Sequence, residues 1–220
     1  MLPLLALAAA TTLGIGPAAA TTRAAPSGDQ TILNSGVITA NDVPSTWKAA
    51  KQPGVSTTPL KGIADCKQIA AGVTSARSRP HKVSSVFSDP SNQGNTTVEN
   101  TVYAFKTAGD ANRYLASYQA SSAATCLQKS LQRSLGSNVQ VGSSQPVPNL
   151  QGIGDAAVGF EYQVHANVQG AQMMFVFDAL AVRIGRAVIA FTFANPTVEI
   201  TQGPGIVNAV IGRVQSAAGG

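Results

Sequence analysis

The most regular pattern along the chain is the alternation in "VGFEYQVHANVQG", which starts at Val158. Phe160 and Tyr162 share one parity, whereas Glu161 and His165 share the other. Strict alternation is typical of a half-buried strand, with one face on a core and the other in water. The pattern therefore predicts that the row containing Glu161 and His165 faces solvent, where a histidine needs no catalytic explanation.

Two more strands follow this one. "AQMMFVFDALAVRI" comes after a turn at Gln169–Gly170, and "AVIAFTFANP" comes after Gly185–Arg186. Turns this short join antiparallel neighbours. The first of the two strands is apolar on both parities, so both of its faces should be covered in part. Asp178 lies in its middle, and we expect it to face solvent or a structural hydrogen bond, with a ligand groove as the alternative.

The N-terminal half carries weaker strand signals. "HKVSSVFSD" and "TTVENTVYAFKT" flank the turn residues of "PSNQGN" and predict a hairpin. "SNVQVGSSQPV" predicts a less regular strand. Upstream, "ILNSGVITANDVPSTW" predicts an extended segment with a turn at Asp42–Pro44, after a disordered tail from Thr21 to about Gln30.

Three segments have helical periodicity instead. "ADCKQIAAGV" predicts a short helix, "AGDANRYLASYQASSAATCLQKSLQRSL" an amphipathic helix with a break near Ser121, and "GPGIVNAVIGRVQ" a helix from Pro204. Strands joined by hairpins and interspersed with a few helices define the α+β class. We therefore predict an antiparallel sheet of about five or six strands, with helices packed on one face.

The first residues are typical of an export signal. An apolar run from Leu2 to Ile15 precedes the small residues around Ala20, although no Lys or Arg comes before it. Cleavage after Ala20 or Ala25 would release a secreted, soluble product, and the alternative is an apolar N-terminal helix of the folded domain. We predict a signal peptide and short tail over residues 1–25 and a single ligand-binding domain over 26–220.

The two cysteines, Cys66 and Cys126, fit the same compartment. An even number of cysteines in an exported chain favours a disulfide. The alternative is a reactive or metal-binding thiol pair, but the chain has no C-x-x-C motif and no histidine within a few residues of either cysteine. A disulfide would link the predicted helices that carry the two residues.

The charge pattern argues against a nucleic-acid partner. The net charge is +5, but only 11% of the residues are charged and the basic ones are scattered. The densest patch is "RSRPHK", which contains Arg77, Arg79, His81 and Lys82 and has no aromatic residue among them. Nucleic-acid-binding proteins usually combine clustered basic residues with stacking aromatics. A solvated loop is therefore the favoured interpretation of this patch, and a polyanion site is the alternative.

The catalytic motifs of common enzyme classes are missing from the sequence. It contains no G-x-S-x-G, H-E-x-x-H, P-loop or S-x-x-K motif, and "GIGD" leads into a strand, so it predicts a turn. We expect no cofactor and no metal. The candidate ligand cleft lies at Asp178, His165 and Glu161, and the alternative function is a small envelope hydrolase that uses Asp178 and His165.

Several segments, taken in order, resemble one family. "ITANDVPSTW", "VYAFKTAGDANRYLASYQASSAATC", "NLQGIGDAAVGFEY" and "VRIGRAVIAFTF" are similar to motifs of secreted actinobacterial sensor-type domains. Together they span about residues 32–216 and resemble the PknH-like extracellular sensor domain, the outer ligand-binding module of a mycobacterial receptor kinase. No single motif is specific, and the order of the motifs carries the resemblance.

The resemblance implies an antiparallel sheet flanked by helices with a cleft, and a binding role without catalysis. The ligand would be a small molecule, lipid or glycan of the cell envelope. That family typically has a second disulfide, which two cysteines cannot form. With no kinase or transmembrane segment expected, the resemblance favours a free envelope-binding protein over a receptor.

Overall fold

The computed structural model of the chain describes residues 27–50, 60–92, 96–168, 171–195 and 203–218. Within these ranges five α-helices and eight strands form the fold, which confirms the α+β class. The predicted signal peptide lies outside the described residues. The helices are α1 Ser27–Gly36, α2 Lys67–Arg77, α3 Ala108–Gln119, α4 Ala123–Leu135 and α5 Gly203–Ala218.

All eight strands belong to one antiparallel sheet. They are β1 Lys48–Ala50, β2 His81–Val83, β3 Val86–Ser88, β4 Thr97–Ala104, β5 Val139–Pro146, β6 Ala156–Val168, β7 Ala171–Ile184 and β8 Ala187–Asn195. Their order is β1-β3-β4-β8-β7-β6-β5, and β2 pairs with β4 beside this path. The long strands β6, β7 and β8 are consecutive neighbours, as the short turns predicted.

The predicted count of five or six strands was wrong, because one predicted strand is split into two and one further short strand was not predicted. The segment "HKVSSVFSD" forms β2 and β3, which Ser84 and Ser85 separate. Here the side chain of Ser84 takes the place of a backbone carbonyl in the hydrogen-bond ladder, because its Oγ accepts a hydrogen bond from the backbone N–H of Asn100 at 2.9 Å. The third short strand, β1, has only three residues, too few for an alternation to be visible.

The prediction that helices pack on one face was also wrong, because both faces of the sheet carry helices. One apolar cluster joins β7 residues such as Phe177 and Ala181 to α2, α3 and α4. A second cluster joins β7 residues such as Leu180 and Val182 to α1 and α5. Coverage from both sides explains why β7 is apolar on both parities, because its two rows of side chains enter different cores.

A third correction concerns the N-terminal segment. The predicted tail and extended segment contain α1, in which Ile32 and Leu33 are buried against α5. Arg213 of α5 holds the C-terminal end of α1, donating hydrogen bonds to the carbonyls of Ser35 and Val37, each at 3.0 Å. Helix α1 thus depends on a residue far along the chain, which no local pattern shows.

The break in the long predicted helix and the disulfide both match expectation. Helix α3 ends at Gln119 and α4 begins at Ala123. Cys66 precedes α2 in a short 3-10 turn and is bonded to Cys126 of α4. Both cysteines are fully buried. The disulfide therefore links the start of α2 to α4 on the same side of the sheet as α3.

Candidate functional site

The sequence-predicted site residues lie on the sheet face that also carries α1 and α5. Glu161 of β6 is the register partner of Asp178 of β7, whereas His165 is the partner of Met174. Met174 precedes Asp178 by four residues, which places His165 about 13 Å further along the strands from Asp178. The structure therefore brings Glu161 and Asp178 together but leaves His165 far outside hydrogen-bond reach of the aspartate.

The polar row of β6 has the exposure that its alternation predicted. Gln163, His165 and Asn167 are exposed, while Tyr162 and Val164 are buried. Glu161 and Asp178 are partly buried. Among the described residues, no group of three His, Cys, Asp or Glu side chains is arranged to hold a metal ion. The row forms an open polar surface and does not assemble a nucleophile and base.

An apolar cleft opens instead on the opposite face of the sheet, beside β6. Its volume is about 350 Å³. It lies between the α3–α4 break and the segment that links β5 to β6, and Val158 and Phe160 of β6 contribute its floor. The side chains and backbone that line it belong to Tyr118, Gln119, Ala120, Ser121, Ala124, Pro146, Val147, Leu150, Val158, Gly159 and Phe160.

The cleft exists because the break between α3 and α4 leaves part of β6 uncovered. Val158 and Phe160 belong to the parity of β6 that packs on the core, yet both are only partly buried. A separate small cavity of about 10 Å³ also borders these two residues. Three alanines, Ala179, Ala181 and Ala190, line that cavity. Larger side chains at these positions would fill the space.

Gly159 sets the wall formed by the link between β5 and β6. A Cβ atom at this position would lie 2.9 Å from Cβ of Val147 and 3.2 Å from Cδ1 of Leu150. The glycine therefore allows Val147 and Leu150 to approach the backbone of β6 closely. The amide of Val147 also donates a hydrogen bond to the Gly159 carbonyl at 3.1 Å.

Uncharged groups make up the lining of this cleft, and its polar side chains lie near the surface. Gln119 and Ser121 are exposed at the α3–α4 break. The Tyr118 hydroxyl is hydrogen-bonded to the Tyr114 hydroxyl at 3.0 Å. Burial raises the pKa of Tyr118 to about 12, so its phenol stays neutral at physiological pH. The cleft therefore offers apolar contact inside and polar contact at its mouth.

Phe160 is the residue whose role the sequence pattern missed. Its parity predicted a core position, and it does pack against the core on one side. The other side of the ring lines the cleft. The predicted break near Ser121 was the available signal, because a gap between two helices uncovers whatever strand lies beneath it.

The chain was compared with known proteins. No family model matches the sequence, and no curated protein sequence is significantly similar to it. One solved structure with a similar course is the extracellular domain of PknH from Mycobacterium tuberculosis, at 11% sequence identity and a TM-score of 0.43. The match covers 77% of this chain and 81% of that one. A similarity at this level does not indicate what the apolar cleft or the polar row binds.

The fold and the disulfide define the class of protein as far as the described residues allow. They form an α+β domain with helices on both faces of an antiparallel sheet and one buried disulfide. Structural disulfides are typical of proteins that fold in oxidising compartments. None of the helices in the described part of the chain is long and apolar enough to cross a membrane.

Proposed function

We propose that this protein is an exported binding domain of the cell envelope, without a catalytic centre of its own, that holds an apolar group in the cleft beside β6. The observation that carries the proposal is the partial exposure of Val158 and Phe160 on the core-facing side of β6, next to the edge strand β5. The next core-facing side chains of the same strand, Tyr162 and Val164, are buried, so the exposure of Val158 and Phe160 inside a cleft favours a ligand that covers them.

The chemistry of the cleft favours an uncharged apolar group, such as an acyl chain. Each methylene removed from water stabilises a complex by about 0.8 kcal/mol. A volume of about 350 Å³ lies at the lower end of small-molecule sites, which fits one chain or ring better than a large ligand. Gln119 and Ser121 at the mouth suit a polar head group that remains in water.

The polar row that contains Glu161 and His165 is not part of this cleft, since it lies on the opposite face of the sheet. The hydrolase alternative needs His165 to accept or donate a proton beside Asp178. A separation of about 13 Å along the strands does not allow a hydrogen bond between them. Binding is therefore the function that the geometry favours.

A fluorescence titration tests the proposal. The mature protein is mixed with N-phenyl-1-naphthylamine, a neutral probe that brightens in apolar sites, and the probe is displaced with a fatty acid or a monoacylglycerol. Ala120→Phe should fill the cleft and weaken probe binding about tenfold, an effect comparable to losing two buried methylenes. The matched control is Ala209→Phe, at an exposed position of α5.

The proposal fails if the protein does not bind the probe, or if Ala120→Phe and Ala209→Phe bind it equally well. Thermal unfolding provides a second measurement, because a ligand that binds only the folded state raises the melting temperature. A fatty acid should raise the melting temperature of the Ala209→Phe variant as it does for the unchanged protein, and should have little effect on Ala120→Phe.

A further inference from the structure

A second cleft, between α2 and α3, differs from the first in both lining and charge. Its volume is about 580 Å³. The side chains that give it its chemistry are Gln68, Ser75, Arg79, Asp110, Arg113 and Ser117. Gln68 and Ser75 lie seven residues apart on α2, and Arg79 follows the end of that helix. The other three residues lie on α3 at helical spacing, so polar groups from both sides line one cavity.

The two helices are held close together at one point beside the cleft. A Cβ atom on Gly72 would lie 2.7 Å from Oγ of Ser117, so only glycine permits the observed approach. Ser117 is fixed in turn, because its hydroxyl donates a hydrogen bond to the Tyr114 carbonyl at 2.7 Å. The cleft is thus a gap next to a rigid helix contact.

Arg79 supplies the main evidence for a ligand. Its Nε atom is buried and has no hydrogen-bond partner among the described residues, and none of their carboxylates forms an ion pair with it. Buried guanidinium donors are almost always satisfied, because leaving one without an acceptor is costly. Arg79 lines the cleft, so its guanidinium charge, which no carboxylate of the described residues neutralises, attracts an anion there.

Arg113 places a second guanidinium group on the lining of the cleft, where it can bind the same anion. Its side chain is 76% exposed and pairs with Asp110, three residues earlier on α3. An exposed pair of this kind contributes little to stability, so a ligand competes for the arginine at small cost. With Asp110 included, the two arginines leave one net positive charge on the lining.

We propose that the cleft between α2 and α3 binds a small polar molecule that carries a carboxylate or phosphate group, with Arg79 and Arg113 holding the oxyanion. Guanidinium groups bind such oxyanions through paired, charge-assisted hydrogen bonds. Gln68 and Ser75 lie along the same cleft and offer hydrogen bonds to hydroxyl groups of the ligand. This site is separate from the apolar cleft and does not depend on it.

Isothermal titration of the mature protein tests the site with four probes: inorganic phosphate, glucuronate, glucose 6-phosphate and glucose. At least one of the anions should bind, and glucose should not. Binding that requires phosphate or carboxylate identifies which oxyanion the site takes, and either result supports it. Affinity should fall as salt is added, because mobile ions screen the attraction.

The variants identify the residues. Arg79→Gln should weaken anion binding about tenfold or more, as expected for a lost charge-assisted hydrogen bond. Arg133→Gln, which removes the same charge from an exposed position on α4, should change the affinity less than about twofold. Ser75→Phe should block the cleft, whereas Thr74→Phe, at the neighbouring exposed position, should not.

The inference is overturned if none of the three anions binds, or if Arg79→Gln and Arg133→Gln have the same affinity. Arg113→Gln covers the case in which Arg79→Gln fails to fold, because Arg113 is exposed and its loss leaves the core unchanged. Ala120→Phe should keep its anion affinity, so failure of this site and failure of the apolar cleft give different results.

Discussion

The two phenylalanines Phe160 and Phe177 allow a direct test of whether the apolar cleft is open. They lie on neighbouring strands, β6 and β7, and both contribute to the core beneath α3 and α4. Phe177 is buried, whereas Phe160 is partly exposed in the cleft floor. Truncating each to alanine removes the same atoms from two different surroundings.

The expected costs differ because only one truncation creates a closed cavity. Phe177→Ala should lower the free energy of unfolding by about 3–5 kcal/mol, the usual range for a buried phenylalanine. The ring of Phe160 already borders open space, so its removal leaves no closed cavity and the free-energy cost of a cavity is small. The main cost is the lost free energy of transferring the ring from water to the protein interior. This cost is about 2 kcal/mol for a phenylalanine that is not fully buried.

Urea unfolding followed by circular dichroism measures both values. If Phe160→Ala costs as much as Phe177→Ala, then Phe160 is fully enclosed in solution and the cleft is closed. The reasoning also predicts that Phe160→Ala alters binding of the neutral fluorescent probe. Phe177→Ala should leave probe binding unchanged at a urea concentration where the variant is still folded.

The remaining predictions concern a surface residue, an ion pair and the disulfide. His165→Ala should change stability by less than about 0.5 kcal/mol in the same urea assay, because His165 is exposed; a larger loss would mean that the polar row is buried in solution. Burial alone would raise the pKa of Asp42, but hydrogen bonds from Arg213 and Thr39 outweigh it and lower that pKa. The stability this adds should be present above about pH 4 and lost as the pH falls through the lowered value, so Asp42→Asn should differ from the unchanged protein at pH 7 and less at pH 3. An equal difference at both pH values would contradict this. Reducing the Cys66–Cys126 disulfide should lower the free energy of unfolding by about 2–4 kcal/mol, and mass spectrometry of the non-reduced protein should find no alkylatable thiol.

The elements that could be predicted are those whose own residues determine them. The alternation of β6 placed Tyr162 and Val164 in the core and His165 in solvent, and the structure has them there. The apolar stripe of α5 also predicted its start near Pro204. In each case one side of the element is apolar and the other polar, so periodicity alone identifies the buried side.

The second helical layer could not be predicted in the same way. Helix α1 has a weak apolar pattern, and its stability comes from packing against α5 and from hydrogen bonds that Arg213 donates to the carbonyls of Ser35 and Val37, at and just beyond its C-terminal end. The dual burial of β7 was visible as an apolar strand on both parities. It showed that something covers the second face, but not which segments do so.

The two clefts could not be predicted from the local sequence pattern, because each depends on small residues that leave space for a neighbouring element. The apolar cleft has Gly159 in its wall and small alanines of β7 and β8 next to its floor, and the polar cleft lies beside Gly72. A glycine or alanine in a sequence does not show which neighbour will use the space that it leaves. The fold brings Gly72 of α2 against Ser117 of α3, and it brings Gly159 of β6 against Val147. Neither contact is visible in the sequence, yet each helps to shape a cleft, and the two clefts differ in chemistry.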